Sequence, residues 1–440
     1  MTDQAGHLTA REKGAARIAE LQAAVPGIPR TLAVKADVLR EGINVSAALA
    51  ELSAWAFPHT HILFDWDHDD THDAAGAAEG FYMIPQKFYF SNGTTALIKI
   101  DVESPYTIDF AGYGRYQLRR NGEPIDEVFF EPRPRWFTRK TRDGRMMAKV
   151  AVGVKDCIFY FSVLNHCEYF NRGEECAFCN MEPTADRNLE LLSDKMVSRS
   201  IQQILDTYAA ASAEFSIRHI AMSGGSFYRR EREVELYLKF VTALRKSGIG
   251  DPEIPIYLSC QAFSRDDNAR LREAGVACVT NNIEVWDPQL FHAITPGKAK
   301  YVGRDRWLRD MEAAVEVFGA GNVRSNFTAG VEMVHPNGFG AIEPAVASTL
   351  EGFRWLLDRG IVPIFTVYTP TPGSALANMG PPPTEYFLTL CAQQHRLLNE
   401  YRVTLPAYNC VKCDVLGFEY DYAVKDSALP DQQGGRREET

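Results

Sequence analysis

From Cys157 onward the chain repeats one pattern: a short run rich in β-branched and aromatic residues, then a longer stretch with apolar residues at helical spacing. The runs 157–163, 217–223, 254–259, 277–280, 323–330 and 362–368 read as strands. The stretches 195–211, 231–247, 267–274, 306–318, 344–359 and 384–401 read as helices. Parallel strands cannot be joined by a hairpin and need a crossover, so strand–helix alternation specifies a parallel sheet. Six such units over roughly 250 residues predict an α/β fold, a (βα) barrel, partial or complete, of the TIM-like kind.

The preceding region has another texture. Short aromatic and β-branched runs at 88–90, 96–100, 106–110 and 127–130 alternate with Gly, Pro and Asn, which predicts short strands and turns. The stretch 45–56 reads as helical. The expected division is therefore an N-terminal helical segment 1–58, a β-rich accessory domain 59–154, the barrel 155–424 and a tail 425–440. That tail lacks apolar residues to anchor it and is expected to be disordered.

Composition narrows the function classes. Hydrophobic residues at 45% and charged residues at 24% match a globular protein. The first fourteen residues lack the apolar run of a signal peptide, and no stretch has the roughly 18 consecutive apolar residues of a membrane span, so a cytoplasmic protein without membrane contact is expected. Lys and Arg number 47 against 57 Asp and Glu, a net charge of −10 that disfavours nucleic acid as a partner. The basic run from Arg133 to Arg142, although it holds Trp136 and Phe137, reads as a solvated hinge. The Asp- and His-rich run 65–73 reads as an acidic solvated loop, since its spacing fits no calcium loop.

Nine cysteines without an export signal point to thiols, metal ligands or redox chemistry rather than disulfides. Cys167, Cys176 and Cys179 lie just beyond the first barrel strand, at the end where barrel enzymes place their chemistry. Three thiolates on one loop can hold three irons of a [4Fe–4S] cluster and leave the fourth open. The other reading of the same residues is zinc, with His166 completing a Cys3His set. Cys260, Cys278 and Cys391 stand in apolar contexts and read as core thiols.

Around these cysteines the chain resembles the radical S-adenosylmethionine (SAM) superfamily over roughly 157–380. In detail it resembles the full-barrel branch, which includes biotin synthase, methylornithine synthase and the hydrogenase maturase relatives. Cys176-Ala177-Phe178-Cys179 is similar to the family's Cys-x-aromatic-Cys ending, which implies that Phe178 packs beside the adenine. Ser223-Gly224-Gly225 resembles the segment that binds the methionine amino group. Asn282 and Glu284 stand like residues that touch the SAM ribose or amino acid, and Arg324 and Glu332 like those that contact its carboxylate and adenine. Thr369-Pro-Thr-Pro-Gly-Ser-Ala-Leu is similar to the branch's loop after the sixth strand. Two departures mark this chain: the motif is Cys-x8-Cys-x2-Cys where three residues usually separate the first pair, and Ser226 replaces a common acidic residue.

The resemblance implies an enzyme that uses a [4Fe–4S] cluster and SAM to form a 5′-deoxyadenosyl radical and abstract hydrogen from a small-molecule substrate. It also implies an electron donor such as flavodoxin or ferredoxin. The rival readings are SAM-dependent aminocarboxypropyl transfer and a non-redox, zinc-stabilised binding protein. Finally, Cys410 and Cys413 follow the last helix and a short candidate seventh strand. Barrel connectivity predicts that they emerge on the face of the three-cysteine loop, as catalytic thiols or as ligands of a second cluster or metal.

Overall fold

The computed structural model describes residues 10–44, 46, 87–101, 103–112, 115–132, 134–192, 198–407 and 409–424. The run 65–73, the stretch 47–56 and the tail 425–440 lie outside the described residues. Helices Ala10–Ala24 and Arg30–Glu41 precede five antiparallel strands: β1 (Lys87–Phe90), β2 (Thr95–Leu97), β3 (Tyr106–Gly112), β4 (Arg115–Arg120) and β5 (Glu123–Phe129), ordered β2-β1-β5-β4-β3. Strand β4 has no clear signature in the sequence because Arg-Tyr-Gln-Leu-Arg-Arg buries only Leu118 and lacks β-branched residues. Trp136 and Phe137 of the basic run are buried. They pack into the core, so at these two positions the run is not the solvated hinge expected.

A second sheet contains β6 (Val152–Gly153), β7 (Cys157–Leu164), β8 (Ile217–Gly224), β9 (Ile256–Ser259), β10 (Val276–Thr280), β11 (Val323–Ala329) and β12 (Val362–Val367). It is ordered β12-β11-β10-β9-β8-β7-β6. β7 to β12 are all parallel and pair in sequence order, and only β6 runs antiparallel, on the outer edge of β7. The barrel is thus partial, with β12 and β7 not paired to each other. Each strand has two buried faces, as parallel sheets require. Phe159 and Phe161 of β7 pack outward on Tyr208 and Phe240, with ring centroids 5.2 and 5.8 Å apart. Phe327 of β11 packs outward on Phe353 at 5.0 Å. Alternation then points Arg324, Asn326 and Thr328 inward, in that order from the base of β11 to its top.

Helix starts follow local chemistry. Ser200 and Gln203 form a reciprocal capping box at Ile201–Ser212, and Asp287 caps Pro288–Ile294 with Pro at its first turn. After helix Thr384–Glu400 returns the chain to the N-terminal end of the strands, no seventh strand forms among the described residues. Residues 409–424 instead fill the open side between β12 and β7. Val367 donates to the Leu416 carbonyl at 3.0 Å, and Leu97 of β2 donates to that of Val415 at 3.1 Å. Lys35 of the second helix, wholly buried, pairs with Asp421 at 2.5 Å. The N-terminal helices, both sheets and this segment consequently share one core. Among the described residues no helix is long and apolar enough to cross a membrane.

Candidate active site

The loop after β7 crosses the C-terminal ends of the strands and is strapped there from three sides. Behind β8, Glu168 donates to the Ser226 carbonyl at 2.8 Å and Gly225 to that of Leu164 at 2.9 Å. Behind β10, Ala177 donates to Ile294 and Gly297 to Glu174, both at 2.8 Å. Behind β12, Leu376 donates to the Ala177 carbonyl at 3.1 Å and the Thr371 hydroxyl to that of Phe178 at 3.3 Å. Two glycines permit this fit. A Cβ on Gly225 would lie 2.0 Å from the His166 oxygen and 2.7 Å from the Cys167 nitrogen, and one on Gly297 would lie 2.5 Å from the Tyr169 ring.

Cys167, Cys176 and Cys179 all belong to this loop, and no disulfide joins any cysteine among the described residues. Burial pushes the Cys167 thiol up to about 11, Cys179 up to about 12 and Cys176 well above the usual range. At Cys176 the Lys298 ammonium opposes that rise. Buried thiols of this kind are held as thiolates by a bound metal, whose charge replaces lost hydration. His166 directs Nδ1 to the Glu182 carboxylate. Among the described residues, the three-ligand set that closes within 4.8 Å is not this one. Ligands of one zinc ion sit about 3.8 Å apart, given Zn–S near 2.3 Å and tetrahedral angles. A cubane carries each thiolate on its own iron, and three thiols on one loop offer the donor set that such a cluster takes.

Lys298 is a site residue without a signal in the sequence, hidden in a Pro-Gly-Lys turn with no family signature. It is buried beneath the loop, donating to Glu284 Oε1 at 2.7 Å and to the Asn282 carbonyl at 2.8 Å. Glu284 has φ of +69° and accepts from Thr328 through its other oxygen at 2.8 Å. Asn282 and Glu284 thus stand at the cysteine end, with the Glu284 carboxylate engaged by protein on both oxygens. Ser223 shares a 2.5 Å hydrogen bond with Tyr160. Glu233 and Gln261 brace the loop from behind. Tyr169 donates to Gln261 at 3.1 Å, and Gln261 donates to Glu233 at 2.6 Å. Burial raises the Glu233 carboxyl to about 7.

Three expectations are corrected. Arg324 is the second residue of β11, at its N-terminal end, and pairs at 2.8 Å with Glu419 of the C-terminal segment. Four strand residues, roughly 13 Å, separate it from Thr328 at the top, too far for a contact with SAM at the cysteine loop. Glu332 follows β11, but its carboxylate accepts from the Gly330 amide at 2.9 Å, Thr349 at 3.0 Å and Tyr386, all outside the strands' inner face. It is scaffold.

Cys410 and Cys413 do not reach the cysteine loop either. The Cys410 sulfur lies 3.3 Å from that of Cys157, the first residue of β7. An eight-residue strand, roughly 23 Å long, separates that end from Cys167. The expected face depended on a seventh strand carrying the chain back to the top, and the segment stays below.

No family model matches the chain. A bacteriochlorophyllide c C-7(1)-hydroxylase of Chlorobaculum limnaeum is 24% identical over 265 residues, 58% of this chain and 62% of that protein, so the chain spans less than two-thirds of that relative. Among solved structures, a methylornithine synthase is 15% identical over 53% of this chain and 60% of its own, with a TM-score of 0.35. The Escherichia coli coproporphyrinogen III oxidase, a radical SAM enzyme, is 11% identical over 56% and 52%, at 0.38. A radical SAM methyltransferase from Sphaerobacter thermophilus is 14% identical over 91% and 96%, at 0.42.

Proposed function

We propose that the chain is a radical SAM enzyme in which Cys167, Cys176 and Cys179 hold a [4Fe–4S] cluster with which it cleaves SAM and oxidises or rearranges a small organic molecule. The observation that carries this reading is the cysteine loop itself, strapped across the C-terminal ends of a six-stranded parallel partial barrel and pressed at Cys167 onto Gly225. Cys167, Cys176 and Cys179 would hold the cluster, which would supply the one-electron reduction needed to cleave SAM and so to start hydrogen abstraction from an unactivated carbon.

The chain's own residues supply place and shelter. Ser223, Gly224 and Gly225 present backbone beside Cys167, where the methionine amino group would bind. Phe178, whose carbonyl accepts from Thr371, would pack beside the adenine. Lys298, fixed by Glu284, is a buried cation at this end, favouring thiolate at Cys176 and anionic groups above it. Straps from behind β8, β10 and β12 keep the loop closed against water, which would quench a carbon radical. An external one-electron donor, of the flavodoxin or ferredoxin kind, would feed the cluster. The hydroxylase relative acts on a bacteriochlorophyllide, and a substrate with an unactivated C–H bond suits the same chemistry here.

Anaerobic reconstitution with iron and sulfide, then reduction with SAM present, tests the reading. 5′-Deoxyadenosine is the expected product. 5′-Methylthioadenosine would instead establish aminocarboxypropyl transfer, and neither product from a protein carrying its iron would end both readings.

A further inference from the structure

The base of the barrel gathers four soft ligands from three distant parts of the chain. Cys157 opens β7, His219 is the third residue of β8, and Cys410 and Cys413 come from the segment after the last helix. One ligand atom each from Cys157, His219 and Cys413 lies within 4.8 Å of the others. The Cys157 and Cys410 sulfurs are 3.3 Å apart, and Cys413 Sγ is 4.0 Å from His219 Nε2. Two ligands at about 2.0–2.3 Å from one zinc ion, at tetrahedral angles, are about 3.5–3.8 Å apart, so Cys157, His219 and Cys413 already cluster near the scale of one ion, and Cys410 joins them through its contact with Cys157. Thiolates on separate irons of a cubane need more room.

The surroundings are built for such a site. Cys157 and His219 have no exposed surface. Cys410 and Cys413 form a tight turn in which the Cys413 amide donates to the Cys410 carbonyl at 2.9 Å. That turn is gripped from the antiparallel sheet: Thr95 donates to the Val411 carbonyl at 2.6 Å and Lys87 to that of Lys412 at 2.8 Å. Three thiolates with a divalent ion leave one negative charge, and Lys87 lies close enough to Cys157 and Cys413 to offset it.

We propose that Cys157, His219, Cys410 and Cys413 bind one tetrahedral zinc ion that staples the C-terminal segment to the base of the barrel. Four protein ligands leave no open position, which makes the ion structural. The staple fixes the segment that carries Glu419 to Arg324 and Asp414 and Asp421 to Lys35, and so closes the open side of the partial barrel.

The test measures metal by mass spectrometry in the full-length protein, purified anaerobically from cells grown with both zinc and iron. Three forms are compared: wild type, the triple variant Cys167→Ala/Cys176→Ala/Cys179→Ala, and the double variant Cys410→Ser/Cys413→Ser. One zinc per chain is expected in the first two and none in the third. Cobalt replacing zinc in the triple variant should give the intense visible absorption of a tetrahedral thiolate site. Zinc absent from wild type and triple variant alike, with no such spectrum on cobalt addition, would overturn the proposal. So would iron and sulfide retained by the triple variant, the mark of a second cluster, or a Cys157–Cys410 disulfide in the anaerobic protein. If the double variant fails to fold, the wild type and triple variant decide the matter alone.

Discussion

At the top of the barrel three cysteines come from one loop, and the glycines and straps that hold them are the tips of successive strand–helix units. At the base, four ligands come from β7, β8 and a segment some 250 residues downstream, and they meet only once the barrel and the antiparallel sheet have formed. The two ends differ in what makes them. A local loop needs the barrel as a platform, whereas a dispersed set is itself a cross-link of the fold. Changes to the cysteines at the top should therefore remove chemistry and spare stability, and changes at the base should do the reverse.

The largest effect expected is at the top. Alanine in place of Cys167, Cys176 or Cys179 removes the thiolate from one iron, so iron should fall from about four per chain to well under one, and SAM cleavage should be lost. Zinc content and the melting transition of the apo protein should stay at the wild-type level. Loss of zinc together with iron would merge the two sites into one.

At the base, Arg324→Met leaves Glu419 buried without its cation. Removing one partner of a buried pair costs about 3–5 kcal/mol. A clear drop in melting temperature is expected, with SAM affinity of the surviving folded protein unchanged. Weaker SAM binding at unchanged stability would return Arg324 to the role its position in the sequence first implied.

That misreading shows what a linear reading sees. The six strands and their helices were legible because period and β-branched content are local, and so was the three-cysteine loop, because its cysteines share one segment. Arg324 was misplaced because the resemblance was weighed above its place as the second residue of the run 323–330, which already put it at the N-terminal end of β11. Glu332 lies at the correct end, but its side chain turns outward to Tyr386, a direction no motif encodes. Cys410 and Cys413 were misjudged because the chain after helix Thr384–Glu400 fills a gap where a seventh strand was expected. Lys298 carried no signal at all, since a buried lysine is recognised only by its partners.

A smaller effect probes the platform at the top. Gly225→Ala places a methyl 2.0 Å from the His166 oxygen, and backbone cannot rotate away as a side chain would. Overpacking of this kind costs about 1–3 kcal/mol. Since the strain falls on the peptide that carries Cys167, iron content and SAM affinity should drop together while zinc stays. Unchanged iron loading would mean that the loop can lift off the Gly-Gly segment without consequence.

The smallest expected effect is a pH slope from Glu233, which braces the loop through Gln261 and Tyr169. Burial raises its carboxyl from the ordinary range to about 7. The folded protein thus holds this proton more tightly than the unfolded chain between roughly pH 4.5 and 7. The stability that comes with the proton is fully present below about pH 4.5 and is lost as pH rises through 7. Glu233→Gln is neutral throughout and escapes that loss. Its melting temperature should gain on wild type between pH 5 and pH 8, by an amount on the order of 1 kcal/mol, since each tenfold change in proton affinity is worth about 1.4 kcal/mol. A difference that stays constant over this range would show that Glu233 ionises normally in the folded state.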